Sequence, residues 1–311
     1  MLTAIEIAID HGNKQIKTSC GKMFVSGLLE SENMPPFGND VIKYNGKYYS
    51  LTEQRMPYLR DKSSDERFFI LSLFAFAYEI DAAGRYADND VICLKVITGL
   101  PPAHFGLQYE KFEKYFSDRK DIIEFEFNRR PYHVYIEDVM CFPQAYAAAI
   151  PIIGHLKEYN QSIIIDLGGY TLDYLRLKDG QPDLSVCDSL ENGVIHMYNA
   201  IKSKVNADYD FLLDESGIDS VIEEKKIDYP ANIIQTIERQ AQNFVNDMIG
   251  KLRERSIDLK SIKAVFVGGG SILLKKYIEA SDKVNNPIFI DNIAANVRGY
   301  ELLYRACNET R

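Results

Sequence analysis

The sequence predicts an α/β protein built as two lobes that face each other across a cleft, and three observations carry that prediction. Stretches with strand character alternate with stretches of helical spacing along the whole chain, the pattern of layered α/β domains. A chain of 311 residues exceeds the size at which one hydrophobic core stops growing. A short strand-turn-strand unit also occurs twice. Moved along by 156 residues (Asp10 to Asp166), Ile9-Asp10-His11-Gly12 falls on Ile165-Asp166-Leu167-Gly168 and Ile16 falls on Leu172. That step is about half the chain, so each lobe hosts one copy.

Taken in order, AIEIAID (4–10) reads as a strand, HGN as turn chemistry, and the residues beyond as a second strand of the same hairpin. Residues 31–66 are more polar, include Pro35-Pro36, and hold the hairpin VIKYNGKYY about Asn45-Gly46, which together suggest a small inserted subdomain. DERFFILSLFAFAYEIDAAGR (65–85) is apolar at helical spacing and stopped by Gly84. VICLKVITG is a buried strand, residues 105–117 an amphipathic helix, and EFEF with YHVYI a strand pair about residues 128–131. In VMCFPQAYAAAI, Pro143 suits the first turn of a helix and the alanines its body.

From 161 the pattern restarts with the hairpin IIIDLGGYTLDYLRLKD, then a strand near 184–188 and helical stretches over 193–226, where Glu223-Glu224-Lys225-Lys226 reads as a solvated helix face. A long helix over 231–254 precedes the strand KAVFV, the run Gly268-Gly269-Gly270 and another helix. PIFID and a last helix, AANVRGYELLYRA, close the chain. The predicted lobes are 1–160, with the insert at 31–66 and the last helix about 296–311, and 161–295.

Composition narrows the function. Apolar residues make up 46% and charged residues 26%, with 16 Phe and 20 Tyr, enough to fill two interiors and contrary to disorder. A net charge of -9 opposes a broad nucleic-acid footprint, which needs clustered Lys and Arg, so any link to DNA would run through a partner. The five cysteines never fall as C-x-x-C, which argues against a thiolate metal site or a disulfide framework and fits a reducing cytoplasm. MLTAIEIAIDHGNK lacks a basic leader, and no uncharged stretch approaches the ~18 residues of a membrane span.

The repeated unit carries the chemistry. A glycine turn lets backbone N–H groups approach an anion closely and suits phosphate. An aspartate beside polyphosphate repels it unless a cation intervenes, and Mg²⁺ is commonly held through one or two carboxylates, waters and phosphate oxygens. Asp10 and Asp166 are therefore the candidate metal-holding residues. Asp10 alone would as readily cap a turn; its duplicate favours the metal. Gly268, Gly269 and Gly270, between a strand and a helix, remove side chains where an adenine and its ribose would fit, although such glycines often serve packing alone. The five histidines are scattered, His11 suits turn chemistry, and Ser19, Ser162 and Ser271 lack a nucleophile-elbow setting. No G-x-x-x-x-G-K-[ST] run is present, which excludes a P-loop enzyme.

These motifs resemble those of the actin-like ATPases, within the group of sugar kinases, heat-shock chaperone ATPases and actins. Ile9-Asp10-His11-Gly12-Asn13 through Lys17 is similar to the first phosphate motif, Asp166-Leu167-Gly168-Gly169-Tyr170-Thr171 to the second, and Val267 through Ser271 to the adenosine motif, in order over nearly the whole chain. DLGGYTLD and NVRGYELLYRA most resemble the ParM (StbA) plasmid-segregation proteins of bacteria.

The resemblance implies a two-lobed actin-like (ribonuclease H-like) fold with nucleotide in the interdomain cleft. It implies a filament that grows with ATP or GTP and falls apart after hydrolysis, and a DNA-binding adaptor of ParR type. It gives Lys17, Gly12, Asn13 and Gly168 to Thr171 phosphate contacts, Gly193 a place near the sugar, and Gln144 the task of orienting the attacking water. Catalysis would then rest on Gln144, Asp10 and Asp166. Gln144 follows actins, where ParM proper tends to have glutamate. Without the family, Lys17 would be a solvated side chain and Gln144 and Gly193 ordinary helix-start residues. Asp173 reads equally as a cleft residue or an exposed strand carboxylate. A small-molecule kinase of the same group is the alternative, though no second aspartate is placed as its base. A chaperone is disfavoured because no peptide-binding domain follows the last helix.

Overall fold

Two β-sheets organise the chain, one in each of two compact units, residues 1–150 with 294–311 and residues 151–293. The structure, a computed structural model, describes residues 4–35, 40–84, 86–87 and 89–309. Pro36 of the predicted proline pair, Arg85 at the end of the first predicted helix and Arg311 at the end of the last lie outside the described residues.

The first unit is built from β1 (Ile5–His11), β2 (Gln15–Thr18), β3 (Met23–Val25), β4 (Leu28–Ser31), β5 (Val41–Tyr44), β6 (Lys47–Leu51), α1 (Glu66–Ala83), β7 (Val91–Leu100), α2 (Pro102–Ser117), β8 (Ile123–Phe127), β9 (Arg130–Pro143) and the short α3 (Tyr146–Ala149). Among the described residues its sheet runs β3-β2-β1-β7-β9-β8-β5-β6-β4. β1, β7 and β9 are parallel neighbours at its centre. Alternation along β1 sorts its side chains: Ile7 and Ile9 join the core beneath α1 and α2, whereas Ala8 faces the cluster of Ile97, Phe142, Val297 and Tyr300. α1 is buried nearly all round, capped at Asp65 and stopped by Gly84 in the left-handed region (φ 64°).

The second unit holds α4 (Ile153–Leu156), β10 (Gln161–Leu167), β11 (Leu172–Lys178), β12 (Gln181–Leu190), α5 (Val194–Tyr209), α6 (Glu215–Ile222), α7 (Ala231–Glu254), β13 (Lys263–Val267), α8 (Gly269–Leu273), α9 (Lys275–Glu279) and β14 (Ile288–Phe289). Its sheet order is β12-β11-β10-β13-β14. Ile163, Ile165 and Leu167 pack against buried residues of α5 and α7, including Met197, Ile201, Ile237 and Met248. α10 (Ala295–Glu309) belongs to the first unit.

Several elements differ from the sequence-based expectation. The described residues of 31–66 form no separate subdomain, because β5 pairs with β8 (Ile42 with Phe127) and extends the main sheet through β6 to β4. The Asn45-Gly46 hairpin is present, both residues at positive φ. Pro143 ends β9 rather than opening a helix, since Gln144 and Ala145 form a turn before α3. Residues 223–226 are exposed but lie beyond α6, which ends at Ile222. The first division falls after 150 instead of 160: Asn160 O accepts from Asp179 N, and Lys157 packs beside Gly180, tying this segment to the second unit.

Candidate functional site

In the first unit the antiparallel register of β1 and β2 sets Asp10 opposite Lys17, and Lys17 Nζ lies 3.0 Å from Asp10 Oδ2. Asp10 is buried. Burial acts to raise its pKa, but the charge and hydrogen bond of Lys17, with the charge of Lys62, outweigh burial and hold it below the usual carboxylate range. Gly12 and Asn13 form the half-buried turn between the strands, where Gly12 O accepts from Ser26 Oγ at 2.5 Å. His11, fully buried, places its ring nitrogens on Thr98 Oγ1 (3.1 Å) and Ser72 Oγ (2.7 Å). Burial and the nearby Lys62 charge depress its pKa to about 3, so it is neutral and structural.

Gln144 reaches the same carboxylate from β9. Its backbone N–H donates to Leu100 O at 2.8 Å, continuing the β7–β9 pairing, and its side-chain Nε2 donates to Asp10 Oδ1 at 2.8 Å. Chemistry fixes which end of the amide faces Asp10, because an ionised carboxylate only accepts hydrogen bonds. The amide carbonyl is thereby turned away from Asp10. Ala145, next in the chain, has φ 61° and ψ -57°, and Tyr146 N bonds to Gln144 O at 2.6 Å, a tight three-residue turn of the rare, strained kind.

In the second unit the register of β10 and β11 pairs Asp166 with Asp173, and Thr171 Oγ1 donates to Asp173 Oδ2 at 3.0 Å. Gly168 N bonds to Thr171 O at 2.9 Å, closing the turn through Gly169 and Tyr170. α5 is docked onto that turn: Gly193, Val194 and Ile195 donate their backbone N–H groups to Tyr170, Gly168 and Gly169 oxygens. A Cβ on Gly193 would stand 2.4 Å from Gly169 O, so glycine is needed for this approach. The first N–H groups of α5 are thus spent on the turn. Gly268, at φ 88°, leads β13 into α8, and a Cβ there would stand 2.3 Å from Asp166 Oδ1. Gly269 and Gly270 begin α8; Gly270 presses on Leu167.

The predicted residues therefore assemble as two sets. Asp10, Gly12, Asn13, Lys17 and Gln144 converge in one unit; Asp166, Gly168 to Thr171, Gly193 and Gly268 to Gly270 converge in the other. The second set combines two carboxylates with a closed glycine turn. Two carboxylates directly opposite on paired strands repel, which a hard cation with oxygen ligands relieves, and the backbone at Gly268 leaves Asp166 room that a side chain would take.

Sequence reasoning missed Lys62, buried with Nζ on His11 O; Asn296, whose Oδ1 accepts from Ala145 N at 3.0 Å; and Lys251, whose Nζ donates to Asn192 Oδ1 at 2.7 Å beside Gly193. Asn296 lies within the motif NVRGY, the only sequence signal any of them gave. Asp173, which the sequence left undecided, is buried and faces Asp166.

Comparison with known proteins shows that these two sheets, each with its glycine-turn aspartate, form an actin-like fold. Residues 8–146 match the family of actin-like protein N-terminal domains, and residues 164–280 match the C-terminal domain of archaeal actin homologues of MreB-like type. The chain is a member of the actin-like proteins. Its structure is similar to that of an archaeal actin homologue (TM-score 0.75, 18% identity, 97% of this chain and 99% of that one), also solved in complex with ADP. It is similar to a ParM from a 15-stranded filament of Clostridium botulinum (TM-score 0.70, 20% identity, 98% and 99% covered) and to Bacillus thuringiensis ParM with ATP (TM-score 0.67, 13% identity, 98% and 99% covered). No curated protein matches the chain by sequence. Among the described residues, no helix is long and apolar enough to cross a membrane.

Proposed function

We propose that this chain is a cytoplasmic nucleoside triphosphatase that polymerises with bound ATP or GTP and depolymerises after hydrolysis, moving plasmid or phage DNA through a DNA-binding adaptor of ParR type. The observation that supports hydrolysis most directly is Gln144 Nε2 on Asp10 Oδ1. With its NH₂ committed to an ionised carboxylate, the amide offers its carbonyl oxygen to a water and aligns it for in-line attack on the terminal phosphate. An amide orients but does not withdraw a proton, which favours water activation by position over general-base catalysis.

Gly12, Asn13 and Lys17 and the turn from Gly168 to Thr171 would cradle phosphates. Gly193 would pass near the sugar, and Gly268 to Gly270 would back the base. Asp166 and Asp10 would hold Mg²⁺ through water; each Asp10 oxygen keeps a lone pair beyond its present bond. Bound Mg²⁺ would neutralise charge on the β- and γ-phosphates. Repeated head-to-tail contacts that do not close on themselves give polymer, and subunit contacts that bring Gln144 into position would make hydrolysis faster in the filament than in the monomer.

Sedimentation and light scattering with ATP, GTP and slowly hydrolysed analogues, alongside phosphate release, test the reading. Nucleotide-dependent polymer and turnover that rises with protein concentration are expected. Turnover accelerated by sugar or acid hydroxyls with no polymer would instead establish the small-molecule kinase.

A further inference from the structure

We propose that Asn296, on the last helix, is a positioning residue for the hydrolytic amide of Gln144. The proposal rests on the reading of Gln144 given above. The polypeptide must turn sharply between β9 and α3 to aim Gln144 at Asp10, and it does so with Ala145 at φ 61° and ψ -57°, a conformation that residues with a Cβ avoid. Ala145 is fully buried, so its backbone N–H needs a partner within the protein. That partner is Asn296 Oδ1, 3.0 Å away and 151 residues along the chain.

The anchor is rigid because α10 lies hard against the same elements. A Cβ on Gly299 would stand 1.9 Å from Ala147 O, and one on Gly99 would stand 2.2 Å from Tyr300 Oη. Val297, Tyr300 and Tyr304 are buried in one cluster with Ala8, Phe142 and Ala147. Backbone approach at Gly299 and Gly99 therefore fixes where Asn296 sits, and Asn296 fixes the turn. Without the acceptor, Ala145 relaxes toward negative φ, the Gln144–Ala145 peptide rotates, and the amide leaves Asp10. The final helix thereby acts on water alignment through the turn at Ala145.

Glycine at 145 provides the control. Lacking a Cβ, it adopts this turn and its mirror image with equal ease, so Ala145→Gly should remove the backbone strain that Asn296 otherwise holds in place. The first measurement is amide hydrogen exchange without nucleotide. In Asn296→Ala, residues 144–146 should exchange at least about tenfold faster while β7 and β9 stay protected; unchanged exchange overturns the clamp. The second is turnover with ATP and Mg²⁺. Asn296→Ala should lower kcat about tenfold with KM and nucleotide Kd within about twofold, and Asn296→Ala/Ala145→Gly should recover most of the loss. A proportional loss of binding, or no recovery in the double variant, overturns the positioning role. If Asn296→Ala does not fold, Asn296→Ser, whose hydroxyl is too short to reach Ala145 N, is measured in the same way. A wild type without turnover but with the exchange effect in the variant would refute the triphosphatase while leaving the clamp standing.

Discussion

Lys17 Nζ stands 3.0 Å from Asp10 Oδ2, and at the same step of the second hairpin the place of lysine is taken by a second carboxylate, Asp173, opposite Asp166. The duplicated turns are alike in backbone and unlike in charge. The first carboxylate already has a cation and an amide from its own unit. The second stands opposite another carboxylate across the strand pair, an arrangement that a hard cation with oxygen ligands would suit. In the proposed site both aspartates would hold the metal, and Asp10 would also anchor Gln144.

Lys17→Met tests that division through stability. Asp10 titrates lower in the folded chain than its ordinary value of about 4. A lowered carboxylate contributes stability above its unfolded pKa and loses it as pH falls through the folded one. The wild type therefore holds this contribution through neutral pH and sheds it only below about 4. Removing Lys17 takes away the largest of the groups that oppose burial and leaves the Lys62 charge and the Gln144 amide, at a cost of about 3 kcal/mol. The expected outcome is a lowered Tm whose deficit is larger at pH 7 than at pH 4.5; an equal deficit at both would show that Lys17 does not govern Asp10.

His11 sets the earlier part of the acid limb. Its pKa is lowered to about 3 by burial and by Lys62, with Asp10 opposing, while an unfolded histidine titrates near 6.5. The unfolded chain therefore binds the extra proton between these values, and stability falls as pH drops from about 6.5 toward 3. Between pH 6.5 and 5 the loss is about 2 kcal/mol. Denaturant midpoints of His11→Gln should change much less over that interval than those of the wild type, and superimposable curves would remove His11 from the account.

Much of the fold is legible in residue pattern alone. Apolar runs ending at Asp10 and Asp166, Asn45-Gly46 at positive φ, and Gly84 closing α1 are local signals, and local chemistry suffices to read them. Pro143 shows the limit. Its helix-start signal is sound by itself, yet the strand continues through it because β7 offers backbone partners up to Leu100 and Ala145 turns the chain under the hold of a residue 151 positions away. Asp10, Lys17 and Gln144 were accessible through motif order. Lys62 was not, and Asn296 only as part of the motif NVRGY, since what defines each is the backbone atom it meets, and nothing in the spacing of a sequence marks that atom.

Gln144→Glu addresses why an amide stands here. A carboxylate within hydrogen-bond reach of ionised Asp10 would share a proton with it, and the pair would titrate with one pKa raised. Wild-type turnover carries no such dependence through residue 144, because an amide does not titrate. The variant should lose turnover progressively as pH rises through the raised value, by about tenfold or more once both groups are ionised. Measured pH profiles that coincide would contradict the contact between Gln144 and Asp10 as the source of alignment.

Gly268→Ala strikes the other set. The glycine sits at φ 88°, and an added methyl would lie 2.3 Å from Asp166 Oδ1 and 2.7 Å from Leu167 O. The backbone region is unfavourable to alanine, and the neighbour obliged to move is the carboxylate itself. Strain and crowding together should cost about 1–3 kcal/mol of stability. The diagnostic effect lies elsewhere: displaced Asp166 should weaken ATP binding in the presence of Mg²⁺ far more than in EDTA. Gly193→Ala, which crowds Gly169 O at 2.4 Å without touching Asp166, should weaken both about equally. Calorimetric titration of ATP into the two variants, with and without Mg²⁺, separates them. Equal metal dependence in Gly268→Ala and wild type would detach Asp166 from the ion.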